Sequence, residues 1–197
     1  MKTPSTHEFQ FIAGNLALDF VNTIGNRLGE PRNYLDTCVN YQKWAARAGF
    51  RQDHNLPQIT PRQLETICAV RESLHRIFRS LATGSSPSPS MLAPLNEGLA
   101  AVAGKRLLYS QKGRITWRWH TNKNDPDLFL GPVLVSATEL LVGGLWTKLR
   151  QCDGETCGWL FLDRSPAGRR RWCSMADCGN RAKFRTFYSK RRIKNAR

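Results

Sequence analysis

The chain contains 197 residues, of which 41% are hydrophobic, so it can bury the core of one domain and carry a small appendage. This composition excludes an intrinsically disordered tail. Its 30 Lys and Arg residues outnumber its 15 Asp and Glu residues, and the net charge of +15 favours an anionic partner such as nucleic acid.

The sequence predicts neither secretion nor membrane insertion. The N-terminal residues lack the basic, apolar and small-residue segments of a signal peptide. The most hydrophobic stretch, Leu128–Trp146, is interrupted by Pro132, Glu139 and three glycines. We therefore predict a buried core helix there, and not a membrane span.

Residues 1–147 predict a helical domain with a small β-hairpin. The clearest helix lies between Thr60, a candidate N-cap followed by Pro61, and Gly84, because apolar residues recur there at three- and four-residue steps. The other predicted elements are helices at Asn15–Thr23, Leu35–Ala48, Met91–Val102 and after Pro126, a loop at Ser85–Ser90, and hairpin strands at Arg106–Tyr109 and Ile115–Trp119.

This N-terminal domain offers no catalytic constellation. Its four histidines show no metal-ligand spacing, and the sequence contains no phosphate-binding loop, dinucleotide-binding motif or nucleophile elbow. Cys38 and Cys68 are interpreted as core thiols. Asp19 and Asn22 lie in an otherwise apolar helix, where they could form a buried polar contact or a small ligand site, or simply cap the helix or face solvent. We predict that the protein is not an enzyme.

Residues 148–197 carry four cysteines in the pattern C-x4-C-x15-C-x4-C. Two close pairs separated by a hairpin-length segment supply the thiolates of a closed, tetrahedral metal site, and we predict one structural Zn²⁺. Two disulfides are the alternative, which a reducing compartment disfavours, and a redox-sensing zinc–thiolate switch is another. The predicted zinc ligands are Cys152, Cys157, Cys173 and Cys178.

The same segment predicts a small set of elements around the metal. We expect a strand at Gly158–Asp163, a return strand at Arg169–Trp172, and a helix from Cys178 through Lys194 with the last ligand in its first turn, as in treble-clef fingers. One stripe of this helix, which we expect to pack on the zinc hairpin, consists of Phe184, Phe187, Tyr188 and Arg191.

Basic residues concentrate in the C-terminal quarter, which has no acidic residue after Asp177. A helix with two basic edges can enter the major groove of a duplex while phosphates hold the edges. A merely solubilising face is the plain alternative, and RNA is another if the aromatic side chains are free to stack on bases. The predicted DNA contacts are Arg169, Arg170, Arg171, Arg181, Lys183, Arg185, Lys190, Arg191, Arg192 and Lys194.

The tetrapeptide Cys178-Gly179-Asn180-Arg181 gives the C-terminal segment a specific signature, because it resembles the CGNR zinc finger that is named for these residues. Leu16–Thr23 is similar to the opening motif of the ABATE domain in bacterial stress-induced transcription regulators. The resemblance implies a finger that contacts DNA and an N-terminal domain that senses a small ligand. It also implies that the four cysteines are the zinc ligands and that Gly179 and Asn180 shape the turn into the helix.

Together these observations predict a mainly α (α+β) chain: a helical N-terminal domain with a small β-hairpin, and a treble-clef-like zinc finger. The predicted function is a zinc-dependent, DNA-binding transcriptional regulator that acts in the cytoplasm at the nucleoid. Its predicted partners are double-stranded DNA and a small ligand of the N-terminal domain. A homodimer, formed through that domain, is a further hypothesis, because one finger has a small footprint. The alternative function is an RNA-binding or protein-interaction module that uses a structural zinc finger.

Overall fold

The computed structural model describes residues 9–50, 58–119 and 127–195. Within these ranges the protein is mainly helical, and its strands form three separate two-stranded antiparallel hairpins. The helices are α1 (Leu16–Val21), α2 (Cys38–Arg47), α3 (Pro61–Ala82), α4 (Pro89–Val102), α5 (Asp127–Val142) and α6 (Asn180–Asn195). The strands are β1 (Ile24–Gly25), β2 (Arg32–Asn33), β3 (Arg106–Gln111), β4 (Arg114–Trp119), β5 (Leu149–Gln151) and β6 (Leu160–Leu162).

Helix boundaries follow the capping signals of the sequence. Thr60 begins α3 with a capping box, in which its hydroxyl accepts from the Gln63 backbone N–H and the Gln63 side chain accepts from the Thr60 backbone N–H. The α4 helix begins two residues before the predicted start, because Ser88 caps it and Pro89 occupies the first helical position.

The N-terminal core forms where α1 packs between α3 and α5. Leu18 and Phe20 of α1 are fully buried, as are Ile77 of α3 and Val133 of α5. This burial confirms the predicted core helix after Pro126. No helix in the described part of the chain combines the length and apolarity that crossing a bilayer requires.

The third hairpin differs from the predicted one. We expected β6 to pair with a return strand at Arg169–Trp172, but β6 pairs with β5, so that Arg150 lies opposite Phe161. The predicted return strand is wrong because another partner holds that segment: the carboxylate of Asp163 accepts from the Arg170 backbone N–H at 2.8 Å. The segment after β6 therefore turns back as a loop.

One hydrophobic core is shared by the N-terminal helices and the zinc-binding segment. Buried residues of the N-terminal helices, of β5 and β6, and all four cysteines of the C-terminal segment belong to the same cluster. The two units that composition separates are thus packed against each other.

Candidate metal centre and basic surface

The four cysteines lie in different backbone segments. Cys152 directly follows β5, and Cys157 lies in the turn that leads to β6, so the first pair sits at the closed end of the β5–β6 hairpin. Cys173 follows the loop after β6, and Cys178 lies in a π-helical turn, Met175–Gly179, that runs directly into α6.

The sulfur atoms have the spacing of a tetrahedral thiolate site. All four Sγ atoms lie within 4.8 Å of one another, and Cys173 Sγ is 3.7 Å from both Cys157 Sγ and Cys178 Sγ. Zn–S bonds of about 2.3 Å in a tetrahedron place sulfur atoms about 3.8 Å apart. None of the six cysteines forms a disulfide in the described structure, since bonded sulfur atoms would be about 2.05 Å apart. The cluster is a structural zinc site.

Close packing around the first pair leaves room only for a glycine at position 154. A Cβ atom there would lie 2.9 Å from the Cβ of Cys157 and 3.1 Å from the Sγ of Cys178. The backbone N–H of Gly154 instead donates to Cys152 Sγ at 3.4 Å. The turn between the first two ligands thus bends tightly around the metal.

Hydrogen bonds stabilise the thiolates. The backbone N–H groups of Cys173 and Gly154 donate to Cys152 Sγ at 3.3 and 3.4 Å and so favour its thiolate form. The guanidinium of Arg181 donates to Cys178 Sγ at 3.0 Å, and this bond raises the pKa of Arg181. Because four thiolates around Zn²⁺ carry a net charge of −2, this guanidinium offsets part of the charge.

The three arginines before Cys173 have different surroundings. Arg169 is exposed. Arg170 stabilises the finger. Its guanidinium lies 4.4 Å from the centre of the Phe161 ring and donates to the backbone carbonyls of Trp172 and Cys173. Arg171 is exposed and pairs with Asp153 at 2.7 Å.

The basic residues of α6 begin at Arg181 beside the metal and continue along an exposed helix. Lys183 and Arg191 are exposed, and Arg185 forms an exposed ion pair with Glu155 at 2.6 Å. The remaining predicted contacts lie on the backbone of α6, but their side chains fall outside the described residues: Lys190, Arg192 and Lys194.

The aromatic stripe of α6 does not pack on the zinc hairpin, and that prediction is wrong. Phe184, Phe187 and Tyr188 remain 63%, 58% and 60% exposed. The physical reason is that other side chains already fill the finger core: Phe161 is fully buried there beneath Arg170. The stripe therefore faces solvent along a basic helix.

Backbone and side-chain hydrogen bonds join the finger to the N-terminal helices. The amide of Asn22 donates to the Leu160 carbonyl at 2.8 Å and accepts from the Leu160 N–H at 3.0 Å, as a neighbouring strand would. On the same edge of β6, the backbone N–H of Leu162 donates to the Ala13 carbonyl at 2.9 Å. The indole of Trp159 donates to the Ile24 carbonyl at 2.8 Å. The free edge of β6 is thus covered by the N-terminal unit.

Asp19 also forms a buried polar contact, which is one of the alternatives that the sequence allows. Its carboxylate accepts from the Ala13 N–H at 2.9 Å, and burial raises its pKa from 3.8 to about 6. Asp19 and Asn22 both line a cavity of about 70 Å³ at the seam between the two units. Its other walls include Phe9, Tyr34, Trp44 and Trp159.

An open groove of about 620 Å³ runs along the same seam on the zinc side. Arg32 and Tyr34 line it from the N-terminal unit, while Asn180, Arg181 and Phe184 line it from the finger. The sequence analysis did not single out Arg32, because it lies far from the basic C-terminal segment. The groove brings a basic residue of the first unit beside the motif arginine of the second.

The sequence predicts a turn from Asp163 to Gly168, but the role of the Asp163 carboxylate in this turn is not among the predictions. This carboxylate accepts from the backbone N–H of Ser165 at 2.9 Å and of Arg170 at 2.8 Å, which fixes the loop between β6 and Cys173. An Asp two residues before a Ser and three before a Pro is a turn signal that could have identified it.

His75 is partly buried in α3, and burial lowers its pKa to about 4. The other three histidines, His7, His54 and His120, lie outside the described residues.

Two family models match the chain, in the order that the sequence motifs predict. Residues 14–144 match the ABATE model, described as "Putative stress-induced transcription regulator". Residues 148–191 match the CGNR zinc finger. Both descriptions are of regulator or zinc-finger types and not of enzymes. Among curated proteins, none matches the chain.

Proposed function

Since this chain belongs to the ABATE family of transcription regulators and ends in a CGNR zinc finger, we propose that it binds duplex DNA through the finger and through α6. Zinc organises the finger, the basic side chains supply electrostatic affinity, and a few side chains of α6 select the sequence. A bacterial regulator of this kind acts at the nucleoid, so the proposal places the protein in the cytoplasm.

One observation carries the proposal. The α6 helix starts two residues after the last zinc ligand and continues for 16 residues, or about 24 Å, with every described side chain from Lys183 to Ser189 exposed. The metal site holds the first turn of this helix, and the rest of the helix is free to enter the major groove of a duplex.

The surroundings of the arginines divide them into two groups. Arg171 and Arg185 form exposed ion pairs, which are weak and can be exchanged for DNA phosphates. Arg170 and Arg181 hold the finger and its metal ligand, so we assign them a positioning role first. The candidates for direct contact that are exposed are Arg169, Arg171, Lys183, Arg185 and Arg191.

Selection of random duplexes against the zinc-loaded full-length chain tests the proposal. We expect one enriched motif, whose symmetry reports whether the protein binds as a monomer or as a homodimer. The Cys173→Ser variant should lose zinc and DNA binding, whereas Cys68→Ser, which removes a partly buried thiol outside the metal site, should keep both. Binding that is equal in the two variants overturns the proposal.

A second candidate function is RNA binding, which the exposure of the α6 aromatic stripe favours. Phe184, Phe187 and Tyr188 can stack on unpaired bases only because they are not buried. Single-stranded RNA as a competitor in the same selection distinguishes the two functions. Displacement of the duplex by RNA at equal nucleotide concentration supports this second function.

The seam cavity is our candidate for ligand sensing. It is small enough to admit only a compound of a few heavy atoms, and such a ligand would contact both Asn22 and Trp159. Binding there would thus reach the groups that dock the finger. A small-compound library screened by thermal shift tests this: a hit should raise Tm and change the tryptophan fluorescence of the wild type. No effect from any compound of that size contradicts the assignment.

A further inference from the structure

The β3–β4 hairpin has no function in the arrangement described so far. Its two six-residue strands are paired along their whole length, from Arg106 opposite Trp119 to Gln111 opposite Arg114. Side chains on both faces are exposed from Leu107 to Arg118. A two-stranded ribbon gains little stability in water by itself, so an exposed one of about 20 Å needs another reason to be present.

The hairpin is basic and contains no acidic residue. Between Glu97 and Asp125 the sequence has only positive charges, and those placed on the hairpin and its approach are Lys105, Arg106, Lys112, Arg114 and Arg118. Solvated surfaces normally mix both signs, as α3 does. The hairpin therefore shares its charge pattern with the C-terminal quarter of the chain.

One face of the ribbon presents hydrogen-bonding side chains. Residues directly opposite each other in an antiparallel pair share a face, which places five polar residues on one side together with Leu107 at the base: Tyr109, Gln111, Arg114, Thr116 and Arg118. Arg118 is held in place there: its guanidinium donates to Gln111 Oε1 at 2.6 Å and lies 5.1 Å from the centre of the Tyr109 ring. Arginine and glutamine are the side chains that read guanine and adenine edges in the major groove.

The conformation of the ribbon is fixed by its turn at the tip and by side-chain packing at its base. At its tip Lys112 and Gly113 both have positive φ, at 50° and 73°, as in the tight turn whose twist matches that of paired strands. At its base Trp119 packs so closely on α5 that a Cβ atom at Gly131 would clash with the indole. The guanidinium of Arg106 lies 4.6 Å from the centre of the Trp117 ring.

We propose that the β3–β4 hairpin is a second DNA-contacting element, a basic β-ribbon that binds the duplex together with the finger. A two-stranded ribbon fits the major groove, which is about 12 Å wide. This inference rests on the proposed DNA binding by the finger and extends it to the N-terminal unit.

The opposite face of the ribbon offers the competing explanation. Leu108, Ile115 and Trp117 are exposed there, and an apolar face can dock a second copy of the chain. Charge favours DNA, because a copy docked on this face would leave the basic residues of the other face and of the tip, Lys112, Arg114 and Arg118, exposed to solvent. Dimerisation through this face is therefore an outcome that the experiment must be able to reveal.

The test measures how the affinity for a duplex depends on salt in the zinc-loaded full-length protein. The double variant Lys112→Asn/Arg114→Gln removes two exposed charges at the ribbon tip, and asparagine tolerates the positive φ at position 112. Each phosphate contact contributes about 0.9 to the slope of log K against log salt, so we expect the slope to fall by about two. The matched control, Arg62→Gln/Arg76→Gln, removes two exposed charges from α3 and should leave the slope unchanged.

Three results overturn the inference in different ways. Equal slopes for the ribbon variant and the α3 control, with normal wild-type binding, reject the ribbon and leave the finger proposal standing. Equal slopes together with a homodimer that Trp117→Ala dissociates assign the ribbon to a second copy. Failure of the wild type to bind any duplex rejects both the ribbon and the proposed function.

Discussion

At the scale of single residues, polar side chains inside apolar surroundings decide how the finger is held. The side-chain amide of Asn22 takes the place of a neighbouring strand at the edge of β6, because it forms hydrogen bonds with both the backbone N–H and the carbonyl of Leu160. Arg181 performs the corresponding task at the metal by donating to Cys178 Sγ. Both side chains belong to the two sequence motifs, and the structure gives each of them a positioning role.

Arg181 should contribute measurably to zinc affinity. Loss of a hydrogen bond to a metal ligand typically lowers metal affinity by about 10–100-fold, and we expect this for Arg181→Gln in competition with a chromogenic chelator. Lys183→Gln removes the same charge from the same helix without a bond to sulfur and should bind zinc as the wild type does. Equal affinities of the two variants would show that Arg181 acts only through its charge.

Asp19 should make stability depend on pH. Burial raises its pKa from 3.8 to about 6, so between these values the folded state binds more protons than the unfolded state. The contribution of this carboxyl to stability is therefore largest at low pH and is lost as pH rises through about 6. Urea unfolding should show the wild type losing stability relative to Asp19→Asn between about pH 4 and pH 6.5, with little further change above that range. A difference that stays constant with pH would refute a raised pKa.

At the scale of elements, the zinc finger is built around the β5–β6 hairpin. The first two cysteines occupy the closed end of that hairpin. The absence of a side chain at Gly154 leaves space there for the side chains of Cys152 and Cys157 and for the Sγ atom of Cys178. The loop that follows is fixed by Asp163, so the segment before Cys173 needs no strand partner. The second pair is then completed by the turn into α6. In this arrangement β5 precedes the first ligand, Cys152, because β5 and β6 form the hairpin that holds the first cysteine pair.

The exposed stripe of α6 should be dispensable for folding. Phe187→Ala should change the free energy of unfolding by less than about 0.5 kcal/mol, because the ring is 58% exposed. Phe161→Ala truncates the same type of side chain where it is fully buried, and should cost about 3–5 kcal/mol. Equal destabilisation in chemical denaturation would show that the stripe is packed after all. Loss of nucleic-acid affinity in Phe187→Ala alone would assign the ring to binding.

At the scale of the whole molecule, the finger and the N-terminal helices form one packed body in the described structure. They share a core, the covered edge of β6, and backbone bonds such as that from Arg27 N–H to the Cys157 carbonyl at 3.0 Å. A finger held in this way presents α6 in a fixed direction relative to the seam cavity.

Unfolding should accordingly be a single cooperative transition. Zinc release, followed with a chelating dye, and loss of helical circular dichroism should share one midpoint in denaturant. Asn22→Ala should move both together by about 2–4 kcal/mol, because it leaves two buried backbone groups of Leu160 unpaired. Asn40→Ala, at an exposed asparagine hydrogen bond, is the control and should have little effect. Two separated midpoints would show that the finger and the helices fold independently.

The sequence by itself determined the local elements and the metal site. Capping residues such as Thr60 set the start of α3, and the spacing of four cysteines was sufficient for zinc, because both depend on residues that are close along the chain or on a fixed coordination number. Charge distribution needs no coordinates either, and it favours an anionic partner, which stays a prediction.

Only the tertiary structure decided what depends on distant residues. The partner of β6 is chosen by competition between β5 and the segment before Cys173, and the exposure of Phe187 depends on whether another ring already fills the finger core. The role of Asn22 required a contact across 138 positions of sequence. Such pairings are selected by packing and by the satisfaction of buried hydrogen bonds over the whole molecule, and no local pattern encodes them.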